Sequence, residues 1–323
     1  MEQPFEQNVI AIIWDFDKTL INGYMQDVIF SKYEVDGKAF WKEVEHLQQQ
    51  YENQGIRVNK DTTYLNHFLT CVQQGIFPGL NNEELRSLGK ELSFFKGLPE
   101  FFSTIKSEIR NNPELQKFNI SVEHYIVSTG FAEMIKGSGI IDFVDGLWGC
   151  EFIETPVSSK LIEAKNTPNQ AVVMLKPVIT QIGYAIDNTS KTRAIFEINK
   201  GVNKHKDIDV NSKIDLVNRR VPFENMIYVA DGPSDVPSFS LIKQNGGSTF
   251  AVYRTGKMQE FIQVDQLRKD NRIDMYGEAD YSEGTLTYMW LIEHVNQIAK
   301  NIASKKEEAI KKSISKPPGH INE

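Results

Sequence analysis

The stretch IAIIWDFDKTL, Ile10 to Leu20, decides how the rest of the chain is read. An apolar, strand-favouring run from Val9 to Trp14 stops abruptly at Asp15-Phe16-Asp17. Such a run is expected for a strand buried on both faces, the central strand of a parallel sheet. Its carboxyl end then carries two carboxylates, at the place where open α/β sheets bind ligands. Acids two residues apart repel each other unless a cation or a shared proton offsets the repulsion. Taken alone, such a pair is better read as an Asx turn that caps the next segment, and the preceding apolar strand and the later strand ends reverse that reading.

The composition sets the frame. A chain of 323 residues, 40% apolar and 24% charged, is an ordinary globular sequence with room for a sizeable core and for two domains. A net charge of -7 argues against a general nucleic-acid binder. Cys71 and Cys150 are expected to be free and reduced. The opening MEQPFEQN is polar and acidic, unlike a signal peptide. No apolar run approaches the ~20 residues of a membrane helix. The expectation is a soluble, cytoplasmic protein with no nucleic-acid or membrane partner; no motif speaks to its oligomeric state.

After Leu20 the pattern turns helical. Residues 22–95 read as an all-helical insert, broken near Asp36-Gly37, with Asp61 as the expected N-cap of a second segment and Asn81 or Asn82 of a third. Tyr24, Phe30, Tyr33, Phe40 and Trp41 read as its core, those nearest the cleft being candidate substrate contacts. Pro99 opens a helix to about Arg110. A second buried strand, His124 to Val127, runs into Ser128-Thr129-Gly130 and a short helix from Phe131, a hydroxyl-and-amide turn suited to an anion. Short strands, some antiparallel, are expected between 140 and 184. Asp187 to Ser190 cap a helix from Lys191 to Asn199, closed by Gly201. A lysine at the head of a helix opposes the helix dipole, so Lys191 is not placed for helix stability. A third buried strand, Asn225 to Ala230, ends in Asp231-Gly232-Pro233-Ser234-Asp235, followed by a helix from Val236 to Gln244 and a strand from Ser248 to Tyr253. A long amphipathic helix covers Gly284 to about Ala303, and residues 304–323 read as a polar tail that frays. The expected organisation is a discontinuous α/β core, 1–21 and 96–303, with a doubly wound, mostly parallel Rossmann-like sheet, and a helical cap, 22–95.

In such a sheet Asp15, Asp17, Ser128, Lys191, Asp231 and Asp235 converge on one crevice. A hard divalent cation explains the acids, Mg²⁺ before others. The lysine and the hydroxyl explain how a phosphate is held, and an Asp can serve as a nucleophile. At this point DFDKT resembles the DxDx[T/V] motif of the haloacid dehalogenase-like (HAD) superfamily. VSTGF resembles its second motif, Lys191 its third, and VADGPSDVPSF its fourth, with Ala230 where the first glycine of GDGxxD stands. Lys160 and Lys176 compete with Lys191 for the third. The insert is similar in position to C1 caps, and the arrangement is nearest the phosphoserine-phosphatase-like branch. The resemblance implies Asp15 as nucleophile, Asp17 as general acid and base with its backbone carbonyl on Mg²⁺, and Ser128, Thr129, Gly130 and Lys191 on the phosphoryl oxygens. Asp15, Asp231 and Asp235, the last directly or through water, would ligate the metal. An acid two residues after the nucleophile suits protonation of a leaving alcohol, which favours a phosphatase over a dehalogenase. The expected activity is hydrolysis of a small phosphorylated substrate. A phosphotransferase with the same chemistry, or a binding module with vestigial catalysis, are the alternatives.

Overall fold

The structure, a computed structural model, describes residues 5–154 and 177–314. Among the described residues, seven strands form one sheet in the order β4-β3-β2-β1-β5-β6-β7. They are β1 (Val9–Trp14), β2 (Ser121–Phe131), β3 (Gly146–Ile153), β4 (Gln181–Tyr184), β5 (Met226–Ala230), β6 (Ser248–Tyr253) and β7 (Met275–Glu278). Every pairing is parallel except that of β3 with β4, an antiparallel edge. The chain winds outward from β1 in one direction through β2 and β3, then returns to its other side at β5. The topological switch point therefore lies between β1 and β5, and the sheet opens its crevice there.

The central strand shows why the sheet needs both faces covered. Ile10, Ile12 and Trp14 enter one apolar core, and Val9, Ala11 and Ile13 enter the other. On the first face lie α5 (Glu100–Arg110), through Phe101, Phe102 and Ile105, and α11 (Leu286–Ile314), through Leu291, Val295 and Ile298. On the second lie α8 (Lys191–Lys200), α9 (Val236–Gln244) and α10 (Met258–Lys269), through Ile195, Phe239 and Val264. The sequence reading left α10 and β7 without an element. Cys71 and Cys150 are free and buried. Among the described residues no helix is long and apolar enough to cross a membrane.

Between β1 and α5 come α1 (Gln26–Lys32), α2 (Gly37–Asn53), α3 (Lys60–Gln73) and α4 (Asn82–Gly89). Their apolar residues do not form an isolated core. Phe30, Phe40, Phe68 and Phe77 pack ring against ring, tilted or edge-on except for stacked Phe68 and Phe77, and continue through Phe131 and Phe152 into the first face of the sheet. The entering and leaving chains pair across Ile21 and Phe94, and the Phe95 N–H donates to the Leu20 carbonyl at 3.0 Å. A second tie is the crossing of α4 with α7 (Ala132–Gly137), where Gly89 faces the Met134 backbone and Gly137 faces that of Arg86, with no room for a side chain.

Three local expectations change. Asn59, not Asp61, caps α3, since its side chain accepts from the Asp61 and Thr62 N–H groups. The last helix runs past Ala303 to Ile314. Its polar end is tied down by cross-element pairs: Lys305 with Glu224, Lys306 with Glu6 and Glu307 with Lys117. The remainder of the tail, residues 155–176 of the stretch expected to form short strands, and with them both Lys160 and Lys176, lie outside the described residues. Finally, Ser128-Thr129-Gly130 lies inside β2, where its register against β3 shifts between Val127 and Phe131.

Candidate active site

Asp15 follows β1 directly, and its N–H donates to the Val229 carbonyl of β5 at 2.9 Å. That bond holds the residue at the switch point. Its side chain is 9% exposed and the carboxylate is doubly held. Oδ2 accepts from the Thr19 hydroxyl at 3.0 Å, and Oδ1 accepts from Lys191 Nζ at 2.6 Å. Lys191 reaches this point from the head of α8, whose start is fixed by Asp187 accepting from the Thr189 and Ser190 N–H groups. The same ammonium donates to Asp235 Oδ1 at 2.7 Å, and so does the Tyr228 hydroxyl at 2.6 Å. The Ser234 hydroxyl donates to Asp235 Oδ2 at 2.9 Å. Burial pulls Lys191 down, but Asp15 and Asp235 more than offset it and hold the group charged well beyond its ordinary range.

Asp15, Asp231 and Asp235 each bring a carboxylate oxygen to within 4.8 Å of the others. Burial, then Asp15 and Asp235, push Asp231 well above the usual carboxylate range. Burial raises Asp15 too, against the pull of Lys191. Three acids converging with one ammonium are short of positive charge. The donors are all hard oxygens, and the set fits a hard divalent cation such as Mg²⁺. Asp17 stands apart from that cluster. Its Oδ1 accepts the Met25 N–H at 2.9 Å, which ties it to the start of α1. Burial, then the neighbouring Asp15 charge, push its carboxyl up to about 8.

The second-strand turn differs most from expectation. Ser128 is 1% exposed and lies two residues beyond Ile126, the partner of Trp14. However, the Gly130 N–H donates to Ser128 Oγ at 2.9 Å, and the Phe131 N–H donates to Met25 Sδ at 3.0 Å. The Thr129 carbonyl accepts from the Tyr64 hydroxyl at 2.8 Å. Two of the amides expected to face an anion are thus taken, one by the turn itself and one by a methionine of the insert. Sequence reading also missed partners of the site. Thr19 belongs to the quoted motif, but no role was given to it. Tyr228 carried a usable signal, because a tyrosine in a fully buried strand must find a partner for its hydroxyl. Tyr281, whose hydroxyl donates to the Thr19 carbonyl at 2.7 Å, carried none.

A doubly wound sheet thus brings an acid pair leaving β1, a buried lysine heading α8 and two acids leaving β5 to one switch-point crevice, with a helical insert after the first motif. The chain belongs to the same family as an uncharacterized protein of Borreliella burgdorferi, 38% identical over 295 residues that cover 90% of this chain and 97% of that protein. No family model matches the chain. Similar solved structures include a HAD family hydrolase from Salmonella enterica serovar Typhi (14% identity, 80% of this chain and 67% of that one, TM-score 0.48). A probable phosphoserine phosphatase from Vibrio cholerae is 13% identical over 94% of this chain and 68% of that one, with TM-score 0.47. A phospho-aspartyl intermediate analogue of phosphoserine phosphatase is 17% identical over 83% of this chain and 93% of that one, with TM-score 0.43.

Proposed function

We propose that the chain is a Mg²⁺-dependent phosphomonoester hydrolase that works in the cytoplasm on a small phosphorylated substrate through an aspartyl-phosphate intermediate. The observation that carries this reading is the buried Asp15 carboxylate, held at once by Thr19 and Lys191 at the edge of a three-acid cluster. An Asp oriented this firmly is positioned for in-line attack on phosphorus. Asp15, Asp231 and Asp235 would hold the metal together with the Asp17 backbone carbonyl, and Mg²⁺ when bound would neutralise charge on the phosphoryl group.

Lys191 screens Asp15 from Asp235 and offers a donor to the oxygens of the transferring group. Asp17, with its carboxyl raised by burial and by Asp15, gives a proton to the leaving alcohol and later takes one from the attacking water. Ser128 lies two residues beyond Ile126, the β2 partner of Trp14. It takes the phosphate together with whichever Thr129 and Gly130 groups the insert frees. The helical insert, about 22–95, acts as the cap that selects the substrate.

The test is hydrolysis of an aryl phosphate with and without Mg²⁺, beside Asp15→Asn. Metal-dependent turnover that the substitution abolishes is expected. Near wild-type turnover by Asp15→Asn would exclude the mechanism.

A further inference from the structure

The insert holds three buried polar atoms that have no hydrogen-bond partner among the described residues: Gln26 Oε1, Trp41 Nε1 and, at the start of α4, Asn82 Oδ1. Gln26 is 3% exposed. It opens α1 directly after Met25, whose N–H holds Asp17. The Gln26 side chain is hydrogen-bonded to Tyr64, whose phenol burial, then Cys150 and Asp17, hold well above its ordinary range. The Trp41 ring lies with its centroid 5.5 Å from that of Tyr64 and 6.1 Å from that of Tyr24. An acceptor and a donor, both shielded from water, thus flank one tyrosine beside the proposed general acid. Buried polar groups in native proteins are normally paired, and an orphan needs an explanation.

Resting on the hydrolase reading above, we propose that Gln26 and Trp41 read the leaving alcohol and select phosphomonoesters of polyhydroxy alcohols, the sugar and polyol class. The inventory of donors and acceptors, together with charge, narrows the class. Gln26 Oε1 needs a donor and Trp41 Nε1 an acceptor. A hydroxyl is both, whereas an ammonium only donates and a carboxylate only accepts. Both protein groups are neutral, which disfavours an alcohol with buried charges of its own. The rings of Tyr24, Trp41 and Tyr64 give the C–H face of such a molecule an apolar wall, with few polar groups to orient it.

The experiment compares kcat/KM for a hexose 6-phosphate, glycerol phosphate, phosphoserine and propyl phosphate, which has no second hydroxyl. It is run in the wild type, Gln26→Leu and Trp41→Phe. Gln26→Leu keeps the side-chain volume and Trp41→Phe keeps an aromatic ring, each removes the unpaired atom, and a ratio taken within one variant cancels any loss of folded protein. The polyol esters are expected to exceed propyl phosphate and phosphoserine by at least about tenfold. Each substitution is expected to shrink that ratio toward one, chiefly through KM. Calorimetric binding of the same esters to Asp15→Asn should show the same order. Selective binding without turnover in the wild type would sink the hydrolase reading and leave this inference standing. A wild-type ratio near one, a preference for phosphoserine, or ratios unchanged by both substitutions would overturn it.

Discussion

Lys191 Nζ sits between two carboxylates, 2.6 Å from Asp15 Oδ1 and 2.7 Å from Asp235 Oδ1, and all three side chains are buried. Removing one member of such a group leaves uncompensated charge in the interior, at a cost of about 3–5 kcal/mol. Lys191→Met is therefore expected to lower stability by that order and turnover by roughly 10²–10³-fold. Lys191→Arg should not restore turnover, since a planar fork does not replace a compact ammonium between two acids. Denaturant unfolding and steady-state rates check both. A stable, active Lys191→Met protein would remove the ammonium from the account of the site.

The excess of acid over base at Asp15, Asp231 and Asp235 makes metal binding a stability question as well. Mg²⁺ that binds the folded chain raises its stability by mass action, about 1.4 kcal/mol at ten times Kd. A thermal melt should rise with Mg²⁺ in the wild type and much less in Asp231→Asn. An equal rise in both would place the ion elsewhere.

A buried histidine sets an acid limit. Trp14 Nε1 donates to His124 Nδ1 at 3.2 Å, so the ring proton sits on Nε2, 3.1 Å from the Phe102 carbonyl. Burial, with Lys106 adding to it, pushes this imidazole down to about 3 from an ordinary 6.5. Between those values the unfolded chain binds a proton that the folded chain refuses. This contribution is intact above pH 6.5 and is lost as pH falls toward 3, by at most about 1.4 kcal/mol per unit. Urea unfolding at pH 7.5 and pH 5 should show a smaller drop in His124→Gln, whose amide offers the same acceptor and donor without titrating. An identical drop would mean that the ring is not the titrating group.

The crossing of α4 and α7 is the tightest joint between insert and core. A methyl at Gly89 would meet the Met134 carbonyl, and one at Gly137 the Arg86 carbonyl. Each Gly→Ala change is expected to cost about 1–3 kcal/mol even though alanine favours helices. A melting temperature unchanged in both would show that the helices can separate without loss.

Much of the architecture was legible because the signals were local. The apolar runs ending in acids located β1 and β5, and Val236 to Gln244 and Ser248 to Tyr253 were read with their observed limits. Lys191 stood out because it opposes the helix dipole. The rest depended on neighbours far away in the chain. The α10 helix has no clear apolar stripe, and β7 is a four-residue edge strand with a glycine. Asn59 and Asp61 are both good caps, and only the extended backbone at Asn59 separates them. That Met25 takes the Phe131 amide depends on how the insert docks, which residue types do not express.

The central claim is covalent catalysis by Asp15, and its most direct measurement is acid-quenched labelling. The protein is mixed with a phosphorus-labelled aryl phosphate and Mg²⁺, quenched within one turnover, digested and mapped. The expected result is label on the peptide that carries Asp15, stable to acid, released by hydroxylamine and absent in Asp15→Asn. Turnover with no labelled protein, or label on another residue, would contradict the mechanism.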